Sequence, residues 1–144
     1  MKKLVWVSLA CLMVFSIVTI VSAAEPRCIP SLTGPDSVML GSPVFFTGSI
    51  DLHGPVDSPV YQGNQIKIYK SPFPHNRFMR WNMPTLIGTS TTMKKGQYIL
   101  KYAPAETAYY QAWCTYKGEQ KITSWHSPWI KVIVDKKTID PRFS

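Results

Sequence analysis

The stretch from Gly96 to Gly118 constrains the fold more than any other part of the chain. It holds two runs in which every second residue shares a face: Tyr98, Leu100 and Tyr102 in the first, and Tyr110, Ala112, Cys114 and Tyr116 in the second. Period-two alternation of this kind is typical of half-buried β-strands. Pro104 has no N–H to donate to a strand ladder, so it belongs between the two runs. The stretch therefore predicts a strand pair at the centre of an all-β fold.

The rest of the mature chain repeats this pattern. Alternating or β-branched runs, separated by Gly, Pro and Asp, predict five further strands at Val38–Leu40, Val44–Ile50, Ile66–Lys70, Leu86–Thr92 and Trp129–Val134. Residues 51–64, 71–84 and 118–128 are predicted to be loops. Because no run has a helical period, we expect a two-sheet antiparallel β-sandwich of about seven strands.

The N-terminus has the layout of a secretory signal peptide. Lys2 and Lys3 precede an apolar run over residues 4–21, and Ala23 provides a small residue for cleavage. The alternative is an uncleaved anchor, because the run approaches the ~20 residues that span a bilayer. We therefore divide the chain into a signal peptide (1–23), an N-terminal segment (24–37), a sandwich (38–135) and a polar tail (136–144). A secreted or cell-surface location follows.

The full chain has a formal charge of +8 at pH 7, and without Lys2 and Lys3 this falls to 14 − 8 = +6, a charge that could favour an anionic surface. The basic residues are scattered, however, and Lys94-Lys95 and Lys136-Lys137 are the only doublets outside the signal peptide. A solvated surface explains them, and nucleic acid is not the partner expected of an exported chain. The expected partner is a protein or glycan of the cell surface, with membrane attachment only if the N-terminal segment is retained.

Two cysteines, Cys28 and Cys114, lie beyond the signal peptide. In an exported protein the default is a disulfide, which over so long a loop is worth about 4 kcal/mol on the chain-entropy model. Two free thiols are the alternative. A metal site is not favoured, because neither cysteine has neighbouring ligands in the sequence.

Several short motifs accompany the strands. They are G-S-P-V-x-F-x-G at Gly41–Gly48, I-x-I-Y at Ile66–Tyr69, G-T-S-T-T at Gly88–Thr92, G-x-Y-x-L-x-Y-x-P at Gly96–Pro104, Y-Q-A-W at Tyr110–Trp113 and S-P-W-I-K-V-I-V at Ser127–Val134, with Trp81 in a loop. From about Gly41 to Val134 the chain resembles the immunoglobulin-like (Ig-like) domains of bacterial and archaeal secreted or cell-surface proteins. The resemblance implies an Ig-like sandwich that acts as a non-enzymatic spacer or adhesive module.

Two positions depart from the pattern of that family. Gln111 stands where those domains typically have an arginine, and no cysteine lies on the Val44–Ile50 strand to form the usual link between sheet centres. The motifs concern packing and turns, so they carry no information about a ligand.

No arrangement of residues predicts catalysis. The motifs G-x-S-x-G and H-E-x-x-H do not occur, and His53, His75 and His126 fall in three different predicted loops. We therefore expect a protein that is not an enzyme and that binds no cofactor or metal.

Aromatic and basic side chains are the candidates for binding, because such side chains anchor interfaces and stack on sugar rings. The candidate residues are Phe73, Arg77, Phe78, Arg80 and Trp81 in one loop, and Trp113, which points outward if Cys114 points inward. Trp125 and His126, near Trp129, form a second group. The alternative is that these rings cover the core. A structural or binding module is our first hypothesis, a carbohydrate-binding module of the cell envelope the second, and a secreted enzyme or inhibitor the third.

Overall fold

The computed structural model describes residues 27–74, 84–118 and 122–136, and these residues form an all-β fold, as predicted. The strands are β1 (Arg27–Pro30), β2 (Ser37–Met39), β3 (Val44–Asp51), β4 (Gln65–Ser71), β5 (Thr85–Thr91), β6 (Gln97–Tyr102), β7 (Ala108–Thr115), β8 (Thr123–His126) and β9 (Ile130–Asp135). Two single 3-10 turns, Pro59–Tyr61 and Lys94–Gly96, lie in the connections.

The nine strands form one mixed, open sheet in the order β2-β9-β7-β8-β1-β3-β6, with β4 and β5 on the other side of β7. Two pairs, β1 with β8 and β2 with β9, are parallel, whereas the others are antiparallel. The prediction of purely antiparallel pairing is therefore wrong. It followed consecutive strands along the chain, whereas both parallel pairs join strands that are far apart in sequence.

The sheet folds over so that distant strands pack face to face. Phe46 on β3 meets Tyr110 on β7 with ring centroids 4.7 Å apart, although these strands are not hydrogen-bonded neighbours. The core between the layers is fully apolar at its centre: Phe46, Ile66, Ile68, Ala112 and Val132. The free edges of β5 and β6 approach each other, and Ser90 Oγ donates a hydrogen bond of 2.8 Å to the carbonyl of Ile99.

The residues that alternation predicted to face inward pack in the core. Along β7, Tyr110, Ala112 and Cys114 are buried, and Trp113 faces outward, as predicted. Two strands, β1 and β8, were missed: β1 lies in the segment set apart as 24–37, and β8 in the predicted loop 118–128. The signal peptide and nearly all of the tail lie outside the described residues. Within the described ranges, no helix has the length and apolar character to cross a membrane.

Cys28 on β1 and Cys114 on β7 form a disulfide, in agreement with the expectation for an exported chain. Both side chains are fully buried, and 86 positions separate them in the sequence. Strand β8 runs between the two, because Ser124 lies opposite Cys28 and Trp125 opposite Cys114. The disulfide therefore fastens β1 and β8 to the central strand.

A close approach of the backbone explains Gly48 on β3. Tyr98 lies opposite Gly48 in the β3–β6 ladder, and its hydroxyl donates a hydrogen bond to the carbonyl of Ser31. A Cβ at position 48 would overlap both the Ser31 carbonyl oxygen and the Tyr98 ring. The N-terminal segment can thus lie across the sheet only if residue 48 has no side chain.

Gly48→Ala should lower the free energy of unfolding by about 1–3 kcal/mol, because backbone or ring must move to admit the methyl group. Urea unfolding measures the change. Gly54→Ala is the matched control, since a Cβ there meets nothing within 4 Å. Equal stability of the two variants would contradict the proposed close approach.

Burial of Tyr110 predicts weakening of the fold in alkali. Burial, with smaller contributions from Tyr102 and Glu106, raises the pKa of Tyr110 to about 12 from 10.0. Folding favours the protonated phenol, so its contribution to stability is complete below pH 10 and is lost as the pH rises towards 12. Tyr110→Phe should make the fall in unfolding free energy over this window less steep, as measured by urea unfolding at several pH values. An unchanged slope would contradict the assignment.

Candidate functional site

A cleft of about 970 Å³ opens where β8 packs beside the C-terminal half of β7. Its aromatic walls come from Trp113, Trp125, His126 and Trp129. Its other lining residues are either polar or apolar and non-aromatic: Gln111, Thr123, Ser124 and Ser127 in the first group, and Ile29, Pro84 and Pro128 in the second. An aromatic concavity with a few polar groups is the common form of a small-ligand site.

The rings form a row across the sheet. Trp113 lies opposite His126 in the β7–β8 ladder, and their ring centroids are 4.8 Å apart at 45°. His126 stacks on Trp125, with centroids 5.2 Å apart and planes 10° apart, and the guanidinium of Arg27 lies 4.5 Å from the Trp125 ring centroid. Trp125 is thus packed between a cation and an imidazole, whereas Trp113, 39% exposed, presents its ring to the solvent side.

The side chain of Gln111 contacts two of these rings, Trp113 and His126. Its carbonyl Oε1 accepts a 3.0 Å hydrogen bond from Trp113 Nε1, and its Nε2 donates to the Ser127 carbonyl at 3.0 Å. Because an indole N–H only donates, the orientation of the amide is set. Gln111 Nε2 lies 2.9 Å from His126 Nδ1, which is also 3.1 Å from the Ser127 carbonyl oxygen. One amide therefore contacts two rings of the cleft.

The Ser127-Pro128 turn holds the far wall. The Ser127 hydroxyl accepts a 2.9 Å hydrogen bond from the Ala112 N–H, and the Ser127 N–H donates to the Ala112 carbonyl at 2.9 Å. Ser127 is fully buried. The turn is therefore fixed to β7 just before Trp129, which explains why Ser and Pro stand at this point of the sequence.

The structure separates the predicted binding residues. Trp113 lies in the cleft, and Phe73, 54% exposed, follows the end of β4. Arg77, Phe78, Arg80 and Trp81 lie outside the described residues. The sequence had indicated Trp125, His126 and Trp129 as a second group, and they line the cleft together. Gln111 was missed, because an outward-facing glutamine on a strand is indistinguishable by pattern from a solvated one.

Residues 27–74, 84–118 and 122–136 contain no group of three or more His, Cys, Asp or Glu side chains placed to hold a metal ion. Cys28 and Cys114 are bonded to each other. His53 lies on an exposed loop beside Asp51, and Nδ1 of His126 lies within hydrogen-bonding distance of Gln111 Nε2 and the Ser127 carbonyl. These donors do not fit a metal centre, so we derive no metal-dependent step from them.

Comparison with known proteins identifies the fold class and no family. No protein-family model matches the chain, and no curated protein sequence matches it. Among solved structures, a superoxide reductase (neelaredoxin) from Ignicoccus hospitalis superposes with a TM-score of 0.53 at 15% identity, over 81% of this chain and 87% of that chain. The sulfur carrier protein SoxY from Chlorobium limicola f thiosulfatophilum gives a TM-score of 0.44 at 12% identity, over 85% and 96%.

The comparison corrects one expectation. The sequence led us to expect a protein that is not an enzyme, but the superoxide reductases that share its fold are enzymes, and two variant forms of that protein give the same TM-score of 0.53. The fold is therefore one that supports catalysis. At 15% identity the likeness concerns the fold alone.

Gln111→Leu should lower the free energy of unfolding by about 1–3 kcal/mol, because it leaves the Ser127 carbonyl and the Trp113 indole without their partner. It should also shift the indole N–H resonance of Trp113. Urea unfolding and ¹H–¹⁵N spectra measure the two effects. Gln97→Leu, at an exposed position on β6, is the matched control. If both variants behave alike, Gln111 does not position the rings.

Proposed function

We propose that this protein is an extracytoplasmic, Ig-like binding module whose aromatic cleft binds carbohydrate. The observation that carries the proposal is the exposed face of Trp113 beside the polar groups of the same cleft. The apolar C–H face of a sugar ring packs on an indole, while its hydroxyls need hydrogen-bonding groups at the rim of the ring.

The cleft offers both kinds of contact. Trp113 and Trp129 provide the rings, and Ser124, Thr123 and His126 lie along the same walls. The imidazole of His126, whose ring centroid is 4.8 Å from that of Trp113, adds a polar group beside this ring. A rigid platform reduces the entropy lost on binding, and Trp113 is held by the hydrogen bond to Gln111.

Two further observations support an exported Ig-like module. The disulfide between Cys28 and Cys114 is of the kind that persists in oxidising compartments, and the N-terminal sequence has the layout of a signal peptide. The face-to-face packing of β3 on β7 and the presence of β6 and β9 at the motif positions support the proposal of an Ig-like module.

Trp113→Ala should reduce glycan affinity about tenfold or more, because it removes the ring on which the sugar packs. We would screen the full chain on a glycan array and measure the best ligand by calorimetry. Phe45→Ala is the matched control, since Phe45 is also an exposed aromatic, 52% accessible, but lies on β3.

Retained glycan binding by Trp113→Ala would remove the cleft as the site. If no glycan binds to the folded protein, the carbohydrate proposal fails, and a protein ligand of the same aromatic surface takes its place. Unfolding curves of both variants show whether either loss reflects a damaged fold.

A further inference from the structure

The aromatic row has a cation at each end. Arg27 lies over the face of Trp125, and Lys67 on β4 lies directly opposite Trp113 in the β4–β7 ladder. Residues directly opposite each other in a sheet share a face, with Cβ atoms roughly 5 Å apart. Strand register therefore aligns Lys67, Trp113 and His126, and ring contacts extend the row from His126 to Trp125 and Arg27.

The described residues that line the cleft include no Asp or Glu that would neutralise these cations. Two of the described acidic side chains are engaged elsewhere: Asp51 pairs with His53, and Glu106 with Lys70 at 3.9 Å. A third cation, Lys131, lies 5.8 Å from the ring of Tyr109, on the same outer face of β7 as Trp113. The cations therefore flank the aromatic row, and they lie outside the residues that line the cleft itself.

The geometry suits an acidic sugar. A guanidinium that stacks by its face keeps its N–H groups in the plane of the group, where a carboxylate or sulfate accepts two of them. Lys67 supplies a second point charge at the Trp113 end, where the sugar ring would pack. A neutral saccharide would use the rings and leave both cations without a counter-charge.

We propose that the cleft selects anionic polysaccharides, with Trp113 packing on the sugar ring and Arg27 and Lys67 binding its carboxylate or sulfate groups. This inference rests on the proposed carbohydrate function and specifies its ligand class. Without Lys2 and Lys3 the formal charge is 14 − 8 = +6, which strengthens the encounter with a polyanion, while the two cations at the ends of the row determine where it docks.

The test compares four probes on the full chain: polygalacturonate as carboxylated polymer, heparin as sulfated polymer, and mannan and laminarin as neutral ones. Affinity electrophoresis and calorimetry measure binding at several salt concentrations. We expect binding to at least one anionic polymer that is at least about tenfold tighter than to either neutral one and that weakens as salt rises. The stronger of the two anionic probes identifies whether carboxylate or sulfate is preferred.

Variants separate a site from general charge attraction. Lys67→Gln and Arg27→Gln should each weaken binding to the anionic polymer about three- to fivefold, and Lys67→Arg should retain it. Lys101→Gln is the matched control: it removes the same charge from an exposed position on β6, opposite Phe45, and should change affinity less than about twofold.

The outcomes distinguish the two proposals. If neutral polymers bind as tightly as anionic ones, the charge selectivity is overturned and the carbohydrate function stands. If Lys101→Gln weakens binding as much as Lys67→Gln, attraction is diffuse and the assignment to the row is overturned. If no polymer binds to the folded chain, both proposals fail together.

Discussion

The disulfide between Cys28 and Cys114 is the constraint on which the site depends. It links β1 to the central strand β7 at a point where both side chains are fully buried, and β8 lies between them. Strands as short as β1 and β8, with four residues each, are only marginally stable without further contacts. Because the crosslink closes a long loop, it lowers the conformational entropy of the unfolded chain, which on the entropic model stabilises the fold by about 4 kcal/mol. The strand that carries Trp125 and His126 is held in place by this arrangement.

The alternation along β7 connects the core to the cleft. One face of the strand contributes Tyr110, Ala112 and Cys114 to the buried interior, and the opposite face carries Gln111 and Trp113. Any change that shifts the register of β7 by one residue would exchange the two sets. The same pairing with β4 and β8 that buries the disulfide also aligns Lys67, Trp113 and His126 across the sheet. The buried core and the arrangement of the cleft side chains are thus set by one register.

Sequence patterns were sufficient to locate the strands in which buried apolar residues alternate with exposed ones. Strands such as β3, β4 and β9 bury alternate apolar residues, so period two locates them, and the outward direction of Trp113 followed from Cys114. β1 and β8 have no such signal, because each is four residues long and is held by partners far away in the sequence. Gln111 escaped notice for a related reason: its side chain contacts His126 on β8 and the Ser127 carbonyl, which no local pattern places beside it.

The shared fold and the local chemistry point in different directions, and the site is the better guide. One β-rich fold can host unrelated functions, and at 15% identity the similarity to superoxide reductases concerns the fold alone. The candidate site is the row of rings bounded by Arg27 and Lys67, which depends on side chains and not on topology. Arg27 belongs to a strand fixed by the disulfide, and Lys67 to a strand fixed by pairing with β7. The backbone positions of the two residues are therefore fixed relative to β7. A fixed spacing of charges about an aromatic face is the property that lets a protein distinguish one acidic polymer from another, since only a matching repeat satisfies both ends at once.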